Sequence, residues 1–217
     1  MLRVIRDGPG EPAWNMATDE ALLRHRAGPV LRLYGWTVPA VSIGYFQPFS
    51  VVPVGRPFVR RFTGGGVVDH AADITYTIVL PPDHPLAVAG TGASYRLLHE
   101  AVARALRISG VPCTLSHGCA PVDSASCFQK PVRFDVIGSA GMKLAGAAQR
   151  RSRDGVLHQG SILAPVLPAA FPDALCREIA SLFGGQAPPD TLSSEERATA
   201  ADLATSRYGT DAWNRRR

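Results

Sequence analysis

Apolar and polar residues alternate in short runs through the first third of the chain. Leu31-Arg32-Leu33-Tyr34-Gly35-Trp36 predicts a strand with one buried face, and Val41-Ser42-Ile43-Gly44-Tyr45 predicts another. Leu2 to Ile5, Val59 to Phe62 and Ile74 to Leu80 read as strands too, with Pro39, Pro48 and Pro81-Pro82 as stops. The period lengthens to that of a helix at Asn15–His25, where Met16, Glu20 and Leu23 share a face and Asn15 is placed to cap. A second helix runs from Ser94 to about Ile108, with Leu98, Val102, Ala105 and Leu106 as its apolar stripe and Gly110 as its stop. Residues 111–133 show no period and read as loop. Phe134–Ile137 and Met142–Ala147 are expected to pair across a Gly138-Ser139-Ala140-Gly141 turn, followed by a strand from Val156 to Leu163. The remainder is helical: Pro172–Phe183, ended by Gly184-Gly185, then Ser193–Arg207, with Ser193 and Glu196 spaced as a capping box. Gln186–Asp190 reads as a short linker, too short for a domain boundary. Strands with interspersed helices, then helices, predict an α+β fold with a mixed, mostly antiparallel sheet, in one domain over 1–217.

Composition narrows the class. The chain of 217 residues is 46% hydrophobic, the usual globular fraction, and no apolar run reaches the ~18–20 residues of a membrane span. The N-terminus lacks the apolar stretch of a signal peptide, so a soluble, cytoplasmic protein is expected, with no membrane partner. The net charge of +5 suits an acidic partner. The basic residues are dispersed as Arg60-Arg61, Arg150-Arg151-Arg153 and Arg215-Arg216-Arg217, the last read as a solvated tail. No nucleic-acid motif is visible, and no nucleic-acid partner is expected. The four cysteines read as free thiols. Cys113, His117, Cys119 and Cys127 are close enough in sequence to raise zinc, but they form no CxxC pair and no second histidine is near, so no metal is expected.

Candidate chemistry concentrates in two stretches. The first is Arg60-Arg61-Phe62-Thr63-Gly64-Gly65-Gly66-Val67-Val68-Asp69-His70. Three contiguous glycines strip side-chain cover and permit positive φ, so the backbone can press against a ligand. The loop is neither GxxxxGK[ST] nor GxGxxG, and a glycine-rich hairpin without ligand is the plain alternative. The second is Gly141-Met142-Lys143-Leu144-Ala145-Gly146-Ala147-Ala148-Gln149. Lys143 stands among small and apolar residues, either as a functional cation or as the polar face of a strand. Cys127 lies in a loop near Lys130, Arg133 and Lys143, where a thiol can be activated as a nucleophile. Cys113 and Cys119 compete for that role, and Cys176 falls on an apolar helix face as core.

These stretches carry a resemblance. Arg60-Arg61-x-Thr63-Gly64-Gly65-Gly66-x-Val68-x-His70 resembles the RRxTGGGxVxH signature of the lipoate–protein ligase and octanoyltransferase family. Gly141-x-Lys143-Leu144-Ala145-Gly146-x-Ala148-Gln149 is similar to its GxKIAGSAQ motif, and Asn15-Met16-Ala17-x-Asp19-Glu20 to its NMAxDE helix. His158-Gln159-Gly160-Ser161-Ile162-Leu163 is similar to its HGSIL strand, with Gln159 as a departure, and Tyr208-Gly209 and Trp213-Asn214 resemble the end of its catalytic domain.

The resemblance implies the biotin/lipoyl ligase catalytic-domain fold, a monomer, and attachment of octanoyl or lipoyl groups to a lysine of lipoyl domains or the glycine-cleavage H protein. It implies Cys127 and Lys143 as catalytic residues. It implies Arg60, Arg61, Thr63, Gly64, Gly65, Gly66, Val67, His70, Gly146, Ala147 and His158 as the group holding the acyl chain or an acyl-adenylate. Arg60 and Arg61 either shape the loop or meet acidic partners. Cys127-Phe128-Gln129-Lys130-Pro131 resembles the loop-cysteine branch of octanoyltransferases, whereas Gly155–Gly160 lacks the cysteine of the other branch. That branch takes its acyl group from octanoyl-acyl carrier protein through a cysteine thioester and requires no cofactor. The alternative is an ATP- and Mg-dependent lipoate–protein ligase, in which Cys127 is incidental. A non-catalytic binder of acyl groups or lipoyl domains would need neither Lys143 nor Cys127.

Overall fold

The longest alternating runs become the middle of one sheet. In the computed structural model, which describes residues 1–25, 28–118, 131–164 and 166–217, the strands are β1 (Arg3–Gly10), β2 (Val30–Trp36), β3 (Val41–Ile43), β4 (Phe58–Arg60), β5 (Val68–Asp69), β6 (Ile74–Leu80), β7 (Cys113–Leu115), β8 (Val136–Gly138), β9 (Lys143–Ser152), β10 (Gly155–Ile162) and β11 (Pro189–Asp190). The helices are α1 (Pro12–His25), α2 (Pro85–Val88), α3 (Thr91–Ile108), α4 (Phe171–Ala180), α5 (Ser194–Leu203) and α6 (Asp211–Asn214). Eight strands order as β11-β1-β2-β6-β10-β9-β8-β7, and β4-β3-β5 form a second small sheet. β1 runs parallel to β2 and β11, and β3 parallel to β4; the other pairs are antiparallel. The expected mixed, mostly antiparallel α+β architecture is what forms.

Strand alternation sends side chains to two layers. Val4, Leu31, Ile78 and Val156 point to one face and pack with Leu98, Val102, Leu175 and Ile179 of α3 and α4. Ile5, Val30, Val79 and Leu157 point to the other and meet Leu22 and Leu23 of α1. α5 packs on the outside of α1, through Ala200 and Leu203. None of the described helices is long and apolar enough to cross a membrane.

Several elements depart from the sequence reading. α1 starts at Pro12, whose fixed φ suits a first helical turn. Asn15 is therefore inside the helix rather than its cap, fully buried, donating to the carbonyls of Gly10 and Gly35. β9 continues past Ala147 to Ser152, and β10 follows after Arg153 and Asp154. Its polar end was not readable as strand because Gln149 and Arg150 keep only part of their surface in water. β7 lies within the expected loop, and β11 within the expected linker; runs of three and two residues are too short to show a period. The capping box at Ser193 and Glu196 is present, but α5 ends at Leu203 and residues 204–208 form a π-turn.

Arg215–Arg217 are not a solvated tail. Arg216 stacks 3.7 Å from the Tyr45 ring centre and 4.2 Å from that of Trp213, and it donates to the Tyr45 carbonyl. The Arg217 carbonyl accepts from the backbone of Phe49. Guanidinium planes stack on aromatic faces without losing their remaining hydration, and that holds this segment down.

Candidate active site

The two sequence stretches meet in a pocket at the join of the large sheet and the small one. The pocket, partly open to solvent, is lined by Met16, Tyr34, Trp36, Ser42, Arg61, Val68, His70, Thr75, Lys143, Gly146, Ala147, Ala148, Gln159, Gly160 and Ser161. Its walls are the start of β9 and the end of β10 on one side, and β2, β3 and the glycine loop on the other. Small residues on β9 and β10 leave a slot, and Met16, Trp36 and Val68 give it apolar walls.

Buried polar networks fix the slot. At the first, Asp19 of α1 is fully buried and accepts from Arg32 (2.8 Å), Tyr34 (3.0 Å), Thr77 (2.7 Å) and Gln159 (2.7 Å). Gln159 in turn accepts from Thr63 Oγ1 at 2.7 Å, so the glycine loop is tied through β10 to α1. At the second, His70 Nδ1 lies 2.9 Å from Asp73 Oδ2 and its Nε2 2.6 Å from Ser42 Oγ. Thr75 and Ser161 also donate to Asp73 Oδ2, and Trp36 stacks on His70 with ring centres 4.0 Å apart. The third joins Lys143 to Asp135 across 2.8 Å, with side chains 6% and 0% exposed. Tyr95 OH donates to the other oxygen of Asp135 at 2.5 Å. Burial, and then the Asp135 charge, push the Tyr95 phenol well above its usual range, so it stays a donor.

The glycines work by what they lack. A Cβ on Gly44 would stand 1.9 Å from the Gly65 carbonyl oxygen, so only glycine allows the loop to fold onto β3. A Cβ on Gly146 would stand 2.4 Å from Lys143 Nζ, so the bare strand is what lets the lysine lie across it.

Of the residues expected at the site, Arg61, His70, Lys143, Gly146 and Ala147 line the pocket. Arg60 does not. It is fully buried and donates to the carbonyls of Gly44, Gln47 and Asn214. Arg61 donates to Ser42, Gly64 and Gly66. Both arginines lace the loop together, and neither is exposed to meet an acidic partner. Thr63, Gly64, Gly65, Gly66 and Val67 are not among the lining residues, and Val68 rather than Val67 reaches the pocket. His158 points to the opposite face of β10, where its ring nitrogens lie 3.2 Å from Tyr76 OH and 3.0 Å from Gln149 Nε2. Alternation along the strand gives the pocket Gln159 and Ser161 instead. Met16 and Gln159 were visible inside the matched motifs; Trp36, Ser42 and Thr75 lie outside them and carried no signal.

Cys127 lies outside the described residues, as do Cys119 and Lys130. Cys113 and Cys176 are described, and neither lines the pocket. Burial pushes both thiols up, which keeps them protonated. The backbone on either side of residues 119–130 is tied beside Lys143: Ser116 accepts from Phe134 N and donates through its N–H to the Asp135 carbonyl.

The family model for the lipoyl protein ligase A/B catalytic domain matches residues 11–187. An octanoyltransferase LipM from Kyrpidia tusciae is 33% identical, with 99% of this chain and 98% of that protein covered. An octanoyltransferase LipM from Moorella thermoacetica is 39% identical over 74% of this chain and 64% of its own length. Among solved structures, protein Ta0514 from T. acidophilum with bound lipoic acid superposes with a TM-score of 0.82 at 24% identity, covering 99% of this chain and 98% of its own. The chain belongs to the lipoyl protein ligase A/B catalytic domain family.

Proposed function

We propose that the protein, acting as one catalytic unit over residues 1–217, is an octanoyltransferase. It would take an octanoyl group from the thioester of an acyl carrier protein and pass it to a lysine of a lipoyl domain or of the glycine-cleavage H protein. The observation that carries this reading is full-length similarity to an octanoyltransferase, joined to a narrow apolar slot with a buried lysine at its wall.

The chemistry follows in two steps. The Cys127 thiolate attacks the thioester carbonyl, the new C–S bond forms, and the carrier thiolate leaves. The acceptor amine then attacks the acyl-cysteine, the C–N bond forms as the C–S bond breaks, and the Cys127 sulfur leaves with the amine's proton as a thiol. The first step exchanges one thioester for another, so it needs no nucleotide. Both steps pass through an oxyanion, which Lys143 is suited to stabilise from its fixed place across Gly146. The Cys127 assignment is supported by the loop-cysteine motif, by the anchoring of both flanks beside Asp135, and by the absence of Cys113 and Cys176 from the pocket lining.

Arginines with no carboxylate partner among the described residues gather at the outer edge of the glycine loop. Arg150 lies 3.6 Å from the Phe62 ring centre and 4.8 Å from that of Tyr45, and Arg216 covers the other side of Tyr45. Arg217 lies over Phe46, which is 68% exposed. We assign this collar to an acidic protein partner. Carrier-dependent transfer to a lipoyl domain without ATP tests the reading. Modification only with free acid and ATP would replace it with the ligase.

A further inference from the structure

The glycine loop is laid against a second turn. The Tyr45 N–H donates to the Thr63 carbonyl at 2.8 Å, and the Arg61 N–H to the Ile43 carbonyl at 2.9 Å. Gly44 leaves room for the Gly65 carbonyl. The turn at residues 44–47 therefore fixes where the loop stands over the slot. Arg60 gathers that turn from within: its Nη1 donates to the carbonyls of Gly44 at 3.1 Å, Tyr45 at 3.4 Å and Gln47 at 2.6 Å. Bonds from a guanidinium are charge-assisted, so one nitrogen holds three carbonyls in a fixed fan.

Arg60 is held in turn by α6, which lies past the residues, 11–187, that the family model matches. Asn214 Oδ1 accepts from the Arg60 N–H at 2.9 Å, and the Asn214 carbonyl accepts from Arg60 Nη2 at 2.9 Å. Trp213 Nε1 donates to the Arg60 carbonyl at 2.9 Å. The Asn214 amide is oriented by donating to the Tyr208 carbonyl at 2.8 Å, and Tyr208 OH donates to the buried Glu20 of α1 at 2.6 Å. A side-chain amide offers an acceptor and a donor at once, and alanine offers neither. With alanine at 214, the N–H of the fully buried Arg60 would lose its partner, and the residue would shift to recover one.

We infer that Asn214 is a positioning residue for acyl transfer: through Arg60 it fixes the 44–47 turn, and through that turn the glycine loop. The inference rests on the octanoyltransferase reading for its rates, and amide exchange tests it without turnover.

The full chain is assayed with a small octanoyl thioester as donor and a lipoyl domain as acceptor, so that any disturbance of Arg216 does not enter through the carrier. Asn214→Ala is expected to lower kcat about tenfold or more, with KM for the donor within about twofold of the parent. Asn214→Asp keeps an acceptor for the Arg60 N–H and should recover most of the rate. Arg215→Ala, on the same helix but stacked on Phe49, should match the parent. The Tyr45 N–H should exchange with solvent about tenfold faster in Asn214→Ala while the α3 amides keep the parent's rates. A parent-like kcat or unchanged Tyr45 exchange in Asn214→Ala overturns the inference, as does a loss that Asn214→Asp does not recover. If Asn214→Ala does not fold, Trp213→Phe decides. It removes the donor to the Arg60 carbonyl and should lower kcat and speed Tyr45 exchange; no change there overturns the inference. A parent protein that transfers no octanoyl group without ATP fails the octanoyltransferase reading, and Tyr45 exchange then decides the inference alone.

Discussion

At the scale of single residues, the site depends on atoms that are missing as much as on those present. Gly146 is bare so that Lys143 can cross the strand. The obstructing atoms in an alanine variant are the far end of a flexible side chain, so the lysine would move and the fold would remain. Gly146→Ala should lower kcat about a hundredfold, the scale of a 1 Å misplacement, with little change in melting temperature. A large loss of stability with kcat per folded molecule intact would contradict this. Gly44→Ala should behave differently, because its obstruction is the backbone carbonyl of Gly65; both stability and activity should fall. Residue identity was well marked in the sequence where glycines and cations clustered. Direction was not: Arg60, Arg61 and His158 all belong to matched motifs, yet Arg60 and His158 turn away from the pocket and Arg61 is spent on backbone carbonyls. A motif states which residues are needed and does not separate those that touch a ligand from those that hold the ones that do.

At the scale of elements, α3 is the support behind β9. It carries Tyr95 and His99 on the face that meets Asp135. Burial pushes His99 down to about 4 and also pulls His158 well below the usual range. In the unfolded chain a histidine titrates near 6.5. Below that pH the unfolded state takes up protons that the folded state refuses. Stability is therefore full above about pH 6.5 and falls as the pH drops toward 4, by about 3 kcal/mol from His99 alone. Urea denaturation at pH 7.5 and 4.5 should show the loss, and His99→Gln should reduce it; an equal loss in the variant would contradict the assignment. At α5, Ser193→Ala removes a complete capping box and should cost about 1 kcal/mol in the same assay. Elements with a full period were legible from sequence, and β6 matches its expected range to the residue. β7 and β11 were not, because their pairing is set by the neighbouring strand at a sheet edge and not by their own pattern.

At the scale of the whole molecule, a net charge of +5 is less informative than where the charge sits. Most buried cations are committed: Arg32 to Asp7 and Asp19, Arg60 and Arg61 to backbone carbonyls, Lys143 to Asp135. Arg150, Arg216 and Arg217, stacked on Phe62, Tyr45 and Phe46, have no carboxylate partner among the described residues. Their grouping joins residues far apart in the chain, Arg150 and Arg216–Arg217, so the sequence could only show them as separate runs. If this collar meets an acidic carrier, KM for the carrier thioester should rise with salt and in Arg150→Glu or Arg216→Glu, while KM for a small octanoyl thioester should not. Equal effects on both donors would remove the collar from recognition.

The central claim is an acyl-enzyme on Cys127. The measurement that tests it most directly is the intact mass of the protein after mixing with octanoyl-carrier protein in the absence of ATP. The account predicts an octanoyl adduct that hydroxylamine removes, that is absent in Cys127→Ala, and that disappears when a lipoyl domain is added. No adduct on the parent protein, or an undiminished one in Cys127→Ala, would contradict it.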